Sequence, residues 1–245
     1  MNAIRAYRDV IVDLVNAAAD DRHDTMERAA TMIADVIEAD GLVYVTGTGH
    51  AHMMAEEPFY RAGGLAAVHP ILVPALMLHE GAVRSTQLER LPGLARAVLE
   101  DTSIGERDLL IVASNSGRNA FPVEAAIVAR ERGATVIGLT SLTHGARVSS
   151  RHPSGAMLHD VVDLVLDTGA PYGDASLSVG DDALAVGPVS TVLGAFIMNA
   201  VLARATQRLV ERGVRPDVFA SANLEGGTPM TDEQLARWRA RVRPL

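Results

Sequence analysis

The chain has 245 residues, of which 48% are hydrophobic but only 4% aromatic, so we expect a large core built mainly from Ala, Val, Leu and Ile. All 22 basic residues are arginine and cysteine is absent, which excludes lysine Schiff bases, lysine-dependent phosphate-loop NTPases, disulfides and zinc–thiolate sites. The formal net charge of −8 argues against a nucleic-acid partner. The first residues carry charge early, and no apolar run reaches the ~18 residues that cross a bilayer. We therefore expect a soluble cytoplasmic protein without a membrane partner.

Two amphipathic helices are predicted before residue 41. Apolar residues recur at helical spacing over residues 2–20, and again up to about Glu38, with Asp24 as the expected N-cap of the second helix. We interpret residues 1–40 as an antiparallel helical hairpin that Gly41 closes.

Buried strands are predicted over residues 42–46, 67–72, 109–114, 134–139 and 161–166, where apolar runs are bounded by turn residues. Helical patterns follow the first strand (51–61) and the third (120–132), and a helix kinked near Pro92-Gly93 is expected within the less regular stretch 76–106. Strands that alternate with helices favour parallel βαβ units, and hence an α/β protein with a three-layer α/β/α sandwich over residues 41–170.

Residues 171–245 are predicted to supply a loop and C-terminal helices. The stretch 169–188 is rich in Gly, Asp and Ser, which indicates a long loop or a short hairpin. A long helix over 189–212 carries no charge before Arg204, so it is expected to be buried or to lie in a subunit interface. Thr231 is the expected cap of a short last helix. With no repeat or linker visible, residues 1–245 are interpreted as one domain.

A polar segment, Ser114-Asn115-Ser116-Gly117-Arg118-Asn119, joins the third strand to the following helix. Free backbone N–H groups and the positive end of the helix dipole meet at such a junction and favour an anion such as phosphate. One Ser or Asn would suffice to cap the helix, so this many hydrogen-bonding side chains indicate a phosphate-binding loop.

The first strand leads into a glycine-containing tip, Gly47-Thr48-Gly49-His50-Ala51-His52. A dinucleotide fingerprint would need a third glycine where His52 stands, and an acidic residue where the chain reads Val68-His69-Pro70. We therefore expect no nicotinamide or flavin cofactor. A third polar tip, Thr140-Ser141, follows the fourth strand, and the three tips are expected to share one cleft.

No metal site is predicted. The best candidates, His144, His152 and His159 with Asp160, match no metal-ligand spacing.

The succession of these segments resembles the sugar isomerase (SIS) domain family. The matching parts are the strand to Gly47-Thr48-Gly49, the segment Ser114-x-Ser116-Gly117-x-Asn119, and residues 134–141, within a resemblance that covers about residues 40–170. It implies a five-stranded parallel, flavodoxin-like sheet and a sugar phosphate whose phosphoryl group sits on the serine segment. It also implies a homodimer or homotetramer with active sites shared between subunits. Ala51 departs from the family, which often has Ser there, and His50 or His52 is expected to compensate.

Aldose–ketose isomerisation needs a base that moves a proton between adjacent carbons, and often an acid that opens the sugar ring. By resemblance, the base is a Glu and the acid a His. Glu57, beside Glu56, and the pair His79-Glu80 are the candidates for these catalytic roles. Ser190-Thr191 either contact the sugar or cap the long helix.

Two functions fit the sequence. The first is a sugar-phosphate isomerase, or a related phosphosugar lyase or etherase that uses the same enolisation step. The second is a non-catalytic phosphosugar sensor or regulatory protein, which needs the same loop but no base.

Overall fold

The structure, a computed structural model, describes residues 2–221 and 230–245. The strands are β1 (Val43–Gly47), β2 (Val68–Pro70), β3 (Leu109–Ala113), β4 (Thr135–Thr140), β5 (Leu164–Asp167), β6 (Ala175–Val179) and β7 (Leu184–Pro188). The helices are α1 (Ala3–Asp21), α2 (His23–Glu38), α3 (Met53–Glu56), α4 (Ala82–Leu88), α5 (Leu94–Glu100), α6 (Ala120–Glu131), α7 (Leu142–Gly145), α8 (Ser190–Glu211) and α9 (Asp232–Arg239).

Strands β1 to β5 form one parallel sheet in the order β2-β1-β3-β4-β5. This order confirms the predicted flavodoxin-like sheet. Gly47 of β1 pairs in register with Ala113 of β3, which in turn pairs with Leu139 of β4. The segments that leave these three strands therefore start at one level of the sheet.

The sheet is covered on both faces, as predicted for a three-layer sandwich. Leu109, Ile111 and Ala113 of β3 face a cluster that contains residues of α2 and α8. Leu110 and Val112 face the opposite cluster, which contains residues of α5, α6 and α9. Successive side chains of a strand point to opposite faces, so a strand buried on both sides requires the uninterrupted apolar run that the sequence shows.

The two helices predicted before residue 41 are present as α1 and α2, with Arg22 alone between them, but α2 begins two residues earlier than a cap at Asp24 predicts. Arg22 occupies the N-cap position of α2, so the expectation that Asp24 caps this helix was wrong. Asp24 lies in the first turn instead, where its negative charge still interacts favourably with the helix dipole.

The helix predicted over residues 51–61 was also too long. A 3₁₀ turn over Gly49–His52 leads into the single turn of α3. Pro58 follows, and Tyr60 has a φ of +45°, a left-handed conformation that ends regular helix.

The kinked helix expected in the stretch 76–106 is two helices, α4 and α5, separated around Pro92-Gly93. The stretch 169–188 contains the antiparallel hairpin of β6 and β7, and the long helix and the Thr231-capped helix are confirmed as α8 and α9. In the described part of the chain, no helix is both long and apolar enough to cross a membrane.

A buried carboxylate joins α5 to α6. Glu124 of α6 accepts hydrogen bonds from the backbone N–H groups of Gly93 (2.9 Å) and Ala95 (3.0 Å) at the start of α5. These N–H groups have no acceptor within their own helix, so Glu124 caps α5 from a neighbouring helix.

We expect Glu124→Ala to lower the free energy of unfolding by about 2–4 kcal/mol, because two N–H groups lose a charged acceptor in a buried position. Urea denaturation followed by circular dichroism measures the change. Glu131→Ala is the matched control, since it removes an exposed carboxylate of the same helix that pairs with Arg96 at 3.0 Å, and should cost less than about 1 kcal/mol. Equal losses in the two variants would contradict this account.

Candidate functional site

The segments after β1 and β3 line a common cleft with a volume of about 420 Å³. The cleft opens at the carboxyl ends of the strands, where ligands of open α/β sheets bind. Its polar lining residues are Thr48, His50, Thr86, Glu89, Ser114, Asn115, Ser116, Asn119, His144, Thr168, Asp174, Ser190 and Thr191.

The serine loop, residues 114–119, offers hydrogen-bond donors to this cleft. In the described part of the chain, no acceptor is bonded to the backbone N–H groups of Asn115, Ser116, Arg118 and Asn119. Asn119 is the N-cap residue of α6, but its side chain does not cap that helix. Free N–H groups and a helix N-terminus thus face the same space, which favours an anion.

Gly117 gives the serine loop its shape. Its φ is +61°, a conformation that costs glycine little and other residues more. A Cβ atom at this position would lie 3.0 Å from Oγ1 of Thr140 and 3.3 Å from Cβ of Leu158. The backbone N–H of Gly117 donates to Oγ of Ser114 at 3.2 Å, which closes the turn.

Thr140 and Ser141 do not line the cleft but support the serine loop from behind. The backbone carbonyl of Asn115 accepts hydrogen bonds from Oγ1 of Thr140 (3.3 Å) and from the N–H of Ser141 (3.0 Å). Oγ of Ser141 donates to the carbonyl of Ala170 at 2.6 Å. Thr140 and Ser141 therefore hold the serine loop in place. The sequence had predicted that they contact the ligand directly.

The tip after β1 contributes Thr48, Gly49, His50 and Ala51 to the cleft wall. Gly47 lies beneath them, where a Cβ atom would collide with the carbonyl oxygen of Ala51 at 2.3 Å. Since any larger residue would displace the tip, Gly47 shapes the cleft without lining it.

His52 does not line the cleft. Its side chain is 2% exposed, and its Nδ1 lies 3.1 Å from Oε1 of Glu56. Burial lowers the pKa of His52, and the hydrogen bond to Glu56 opposes that shift. Of the two histidines expected to compensate for Ala51, only the exposed His50 faces the cleft.

Glu89 is a cleft carboxylate that the sequence analysis missed. One of its oxygens, Oε2, accepts a hydrogen bond from Oγ1 of Thr48 at 2.6 Å. Its backbone carbonyl accepts from the N–H of Phe121, in the first turn of α6, at 2.9 Å. Glu89 is thereby fixed both to the tip after β1 and to the helix that follows the serine loop.

Asp174, the other carboxylate of the cleft wall, is engaged in the start of α8. It accepts hydrogen bonds from the N–H of Val189 (3.1 Å) and from the N–H and Oγ of Ser190 (both 2.7 Å). It therefore supplies the acceptor that caps α8, and the hydroxyl of Ser190 is tied to it.

His144 of α7 also lines the cleft. Burial lowers its pKa, the carboxylate of Asp174 opposes the shift, and the positive charge of Arg118 adds to it. The imidazole also packs against the ring of Tyr172, with 5.1 Å between the centroids.

Residues 6–141 match the family model described as the SIS domain. The chain belongs to the SIS-domain family. A UPF0309 protein of Listeria innocua is 41% identical over 239 residues, which cover 98% of this chain and 97% of that protein. A UPF0309 protein of Brucella canis is 46% identical over 237 residues, which cover 97% and 96%.

Two solved structures show which proteins share the SIS fold. A phosphoheptose isomerase from Francisella tularensis superposes with a TM-score of 0.57 at 15% identity, over 84% of this chain and 97% of that one. The Vibrio vulnificus NanR protein complexed with ManNAc-6P gives 0.52 at 16% identity, over 86% and 65%. At these identities the likeness establishes the fold alone.

The predicted catalytic residues of this SIS domain do not line the cleft. Glu57 accepts hydrogen bonds from Nη1 of Arg61 and from Nδ2 of Asn199, the latter at 2.8 Å. His79 and Glu80 are exposed, although the preceding Leu78 does reach the cleft. Their catalytic roles stay predictions.

Among residues 2–221 and 230–245, no group of three or more His, Asp or Glu side chains is arranged to hold a metal ion. His144, His152 and His159 accordingly form no such cluster with Asp160.

We expect Gly117→Ala to weaken the binding of inorganic phosphate by about tenfold or more, because it strains the backbone that presents the free N–H groups. Isothermal titration calorimetry measures the affinity. Gly155→Ala is the control, since Gly155 has a φ of +77° with no atom within 4 Å of an added Cβ and so introduces similar backbone strain away from the loop. Unchanged affinity in Gly117→Ala would remove the serine loop from the anion site.

We expect the folded protein to lose stability as the pH falls. The groups responsible are the histidines whose pKa is lowered by burial. An unfolded chain binds protons at histidine below about pH 6.5, while the folded protein resists protonation of His52, so the free energy of unfolding decreases as the pH falls. Urea denaturation at about pH 7 and about pH 5.5 should show a smaller decrease for His52→Gln than for the wild type. Identical decreases would show that His52 is not the group responsible.

Proposed function

We propose that this protein binds a sugar phosphate, with the phosphoryl group on the serine loop. Support comes from four free backbone N–H groups, two serine hydroxyls and the N-terminus of α6 at one end of the cleft. Neutral donors of this kind bind a phosphate without a dedicated charged side chain.

The rest of the cleft suits a polyhydroxyl ligand. Oδ1 of Asn115 is buried and has no hydrogen-bond partner in the described residues. It can therefore accept a hydrogen bond from a ligand donor, such as a sugar hydroxyl. Thr191 and His50 add further polar groups to the wall. A ligand with one anionic end and several hydroxyls satisfies these groups together.

The reaction we propose is aldose–ketose isomerisation, with Glu89 as the base. The observation that carries this assignment is the position of Glu89. It is a cleft carboxylate, and within the described residues its side-chain hydrogen bond, from Thr48, engages Oε2 and leaves Oε1 for a substrate. Asp174 is excluded because the start of α8 occupies its oxygens.

In this mechanism, Glu89 removes the proton from the carbon next to the substrate carbonyl, and the electron pair of the C–H bond forms the enediolate double bond. The carbonyl oxygen gains negative charge, which a donor from His50 or His144 stabilises. The hydroxyl on the carbon that lost the proton transfers its own proton to the former carbonyl oxygen, and its oxygen becomes the new carbonyl. Glu89 returns the first proton to the adjacent carbon, so the carboxylate is regenerated and aldose and ketose have exchanged with all protons accounted for.

We expect Glu89→Gln to lower solvent-proton exchange at the second carbon of the sugar by at least about a hundredfold. Gln retains an acceptor for Thr48 but cannot take up a proton. Hexose, pentose and heptose phosphates that raise the melting temperature are incubated in deuterated water, and deuterium incorporation is followed by NMR.

Glu57→Gln and Glu80→Gln are the matched variants, because both remove a carboxylate that lies outside the cleft. They should retain exchange close to the wild-type rate. Loss of exchange in Glu57→Gln, with Glu89→Gln unaffected, would restore the assignment made from the sequence. Binding without exchange in the wild type would identify a non-catalytic phosphosugar sensor.

We further propose that the protein is a homo-oligomer. Met53 and Val192 are 38% and 40% exposed, and Tyr60 is 61% exposed. These apolar surfaces lie on or near α3 and on α8. The long charge-free stretch of α8 also favours a subunit interface. Sedimentation equilibrium tests this proposal, since a monomer mass at micromolar concentration would contradict it.

A further inference from the structure

Three arginines are immediate neighbours, in the chain or through a hydrogen bond, of residues that line the cleft. Arg118 belongs to the loop itself, and Arg90 directly follows Glu89. Arg151 reaches the loop from the segment after α7, where its Nη1 donates to Oδ1 of Asn119 at 3.0 Å. We call Arg90, Arg118 and Arg151 the arginine rim.

The arginine rim has no acidic partner in the described part of the chain, where none of its guanidinium groups lies within 4.0 Å of a carboxylate. Elsewhere, Arg204 and Arg212 each pair with two carboxylates. Other exposed arginines, such as Arg107 and Arg215, also lack a carboxylate partner in the described residues, so the distinguishing feature of the rim is that its members lie together beside the serine loop.

Backbone contacts hold two of these side chains in position. The N–H of Arg151 donates to the carbonyl of Arg118 at 2.7 Å, and Nε of Arg118 donates to the carbonyl of Ser149 at 2.9 Å. A guanidinium has five N–H donors, and the bonds within the described residues use one on each of these two side chains. Most of their donors remain for a ligand.

The positive charges of the rim act on one another. Burial lowers the pKa of Arg151, the charges of Arg118 and Arg90 lower it further, and Glu89 opposes them. Arg118 also acts on His144 in the cleft wall. Repulsion among like charges is relieved when an anion binds between them.

We propose that the substrate carries a second anionic group, a carboxylate or a second phosphate, and that the arginine rim binds it. This inference rests on the proposed function, because it assumes that the serine loop holds the first phosphate. Free N–H groups, hydroxyls and a helix N-terminus already serve that phosphate. Three unpaired guanidinium groups beside them exceed what one phosphate needs and match a further carboxylate or phosphate in fork geometry.

Two pairs of probes isolate the second anionic group. Glucose 6-phosphate differs from 6-phosphogluconate by a carboxylate, and fructose 6-phosphate differs from fructose 1,6-bisphosphate by a phosphate. Isothermal titration calorimetry at low ionic strength, where charges are least screened, gives the four dissociation constants. We expect at least one doubly anionic probe to bind about tenfold or more tightly than its partner.

Arg90→Gln and Arg118→Gln test the rim directly. Each should reduce the preference for the doubly anionic probe severalfold, and the double variant should abolish it. Arg90 makes no side-chain hydrogen bond within the described residues, so its variant keeps the local structure even if Arg118→Gln disturbs the loop. Arg130→Gln is the control, since it removes an arginine that pairs with Asp163 at 3.3 Å near the amino ends of the strands.

The outcomes separate this inference from the proposed function. If the wild type binds both members of each pair equally, the proposal of a second anionic group is overturned, while sugar-phosphate binding is left intact. A loss of affinity for singly and doubly anionic probes alike in the rim variants would also overturn it, because the rim would then hold the first phosphate. If no probe binds, the proposed function fails and the inference fails with it.

Discussion

The parallel pairing of β1, β3 and β4 is the constraint on which the site depends. Because Gly47, Ala113 and Leu139 are register partners across the three strands, the segments that follow them begin at one edge of the sheet. A slip of one residue would turn the apolar side chains of a strand to the opposite face. Both faces of β3 are buried, so the packing of the two hydrophobic layers fixes the register and, through it, the level of the polar tips.

The cleft is held together by contacts between its own walls. Thr140 and Ser141 hold the serine loop through the carbonyl of Asn115. Glu89 is bound at its side chain by Thr48 and at its backbone by Phe121. These bonds make the distance between the proposed base and the proposed phosphate site a property of the fold. Such preorganisation matters for proton transfer, which is sensitive to small displacements of the reacting groups.

The sequence was most informative where one local pattern determined the structure. An uninterrupted apolar run that ends in Ser, Asn and Gly identified β3 and the serine loop without tertiary information. The helix over residues 51–61 was predicted too long because its composition favours helix, while Pro58 and the left-handed Tyr60 end it early. Glu89 was missed because it meets the first tip only through Thr48, which lies 41 residues away in the sequence. Glu57 was preferred as the catalytic base because it follows the first tip in the sequence. Only the packing of α3 against α8 shows that its side chain is turned toward Asn199.

The acidic composition of the chain and an anionic ligand are compatible because electrostatic forces in salt solution are short-ranged. At physiological ionic strength the Debye length is about 8 Å, so most of the 30 carboxylates are screened from the cleft. A ligand there interacts mainly with the groups that surround it: free N–H groups, the N-terminus of α6 and the arginine rim. The net charge argues against a polyanionic partner that contacts a large surface. It carries little information about a small anion in a cleft, where the placement of a few donors determines the affinity.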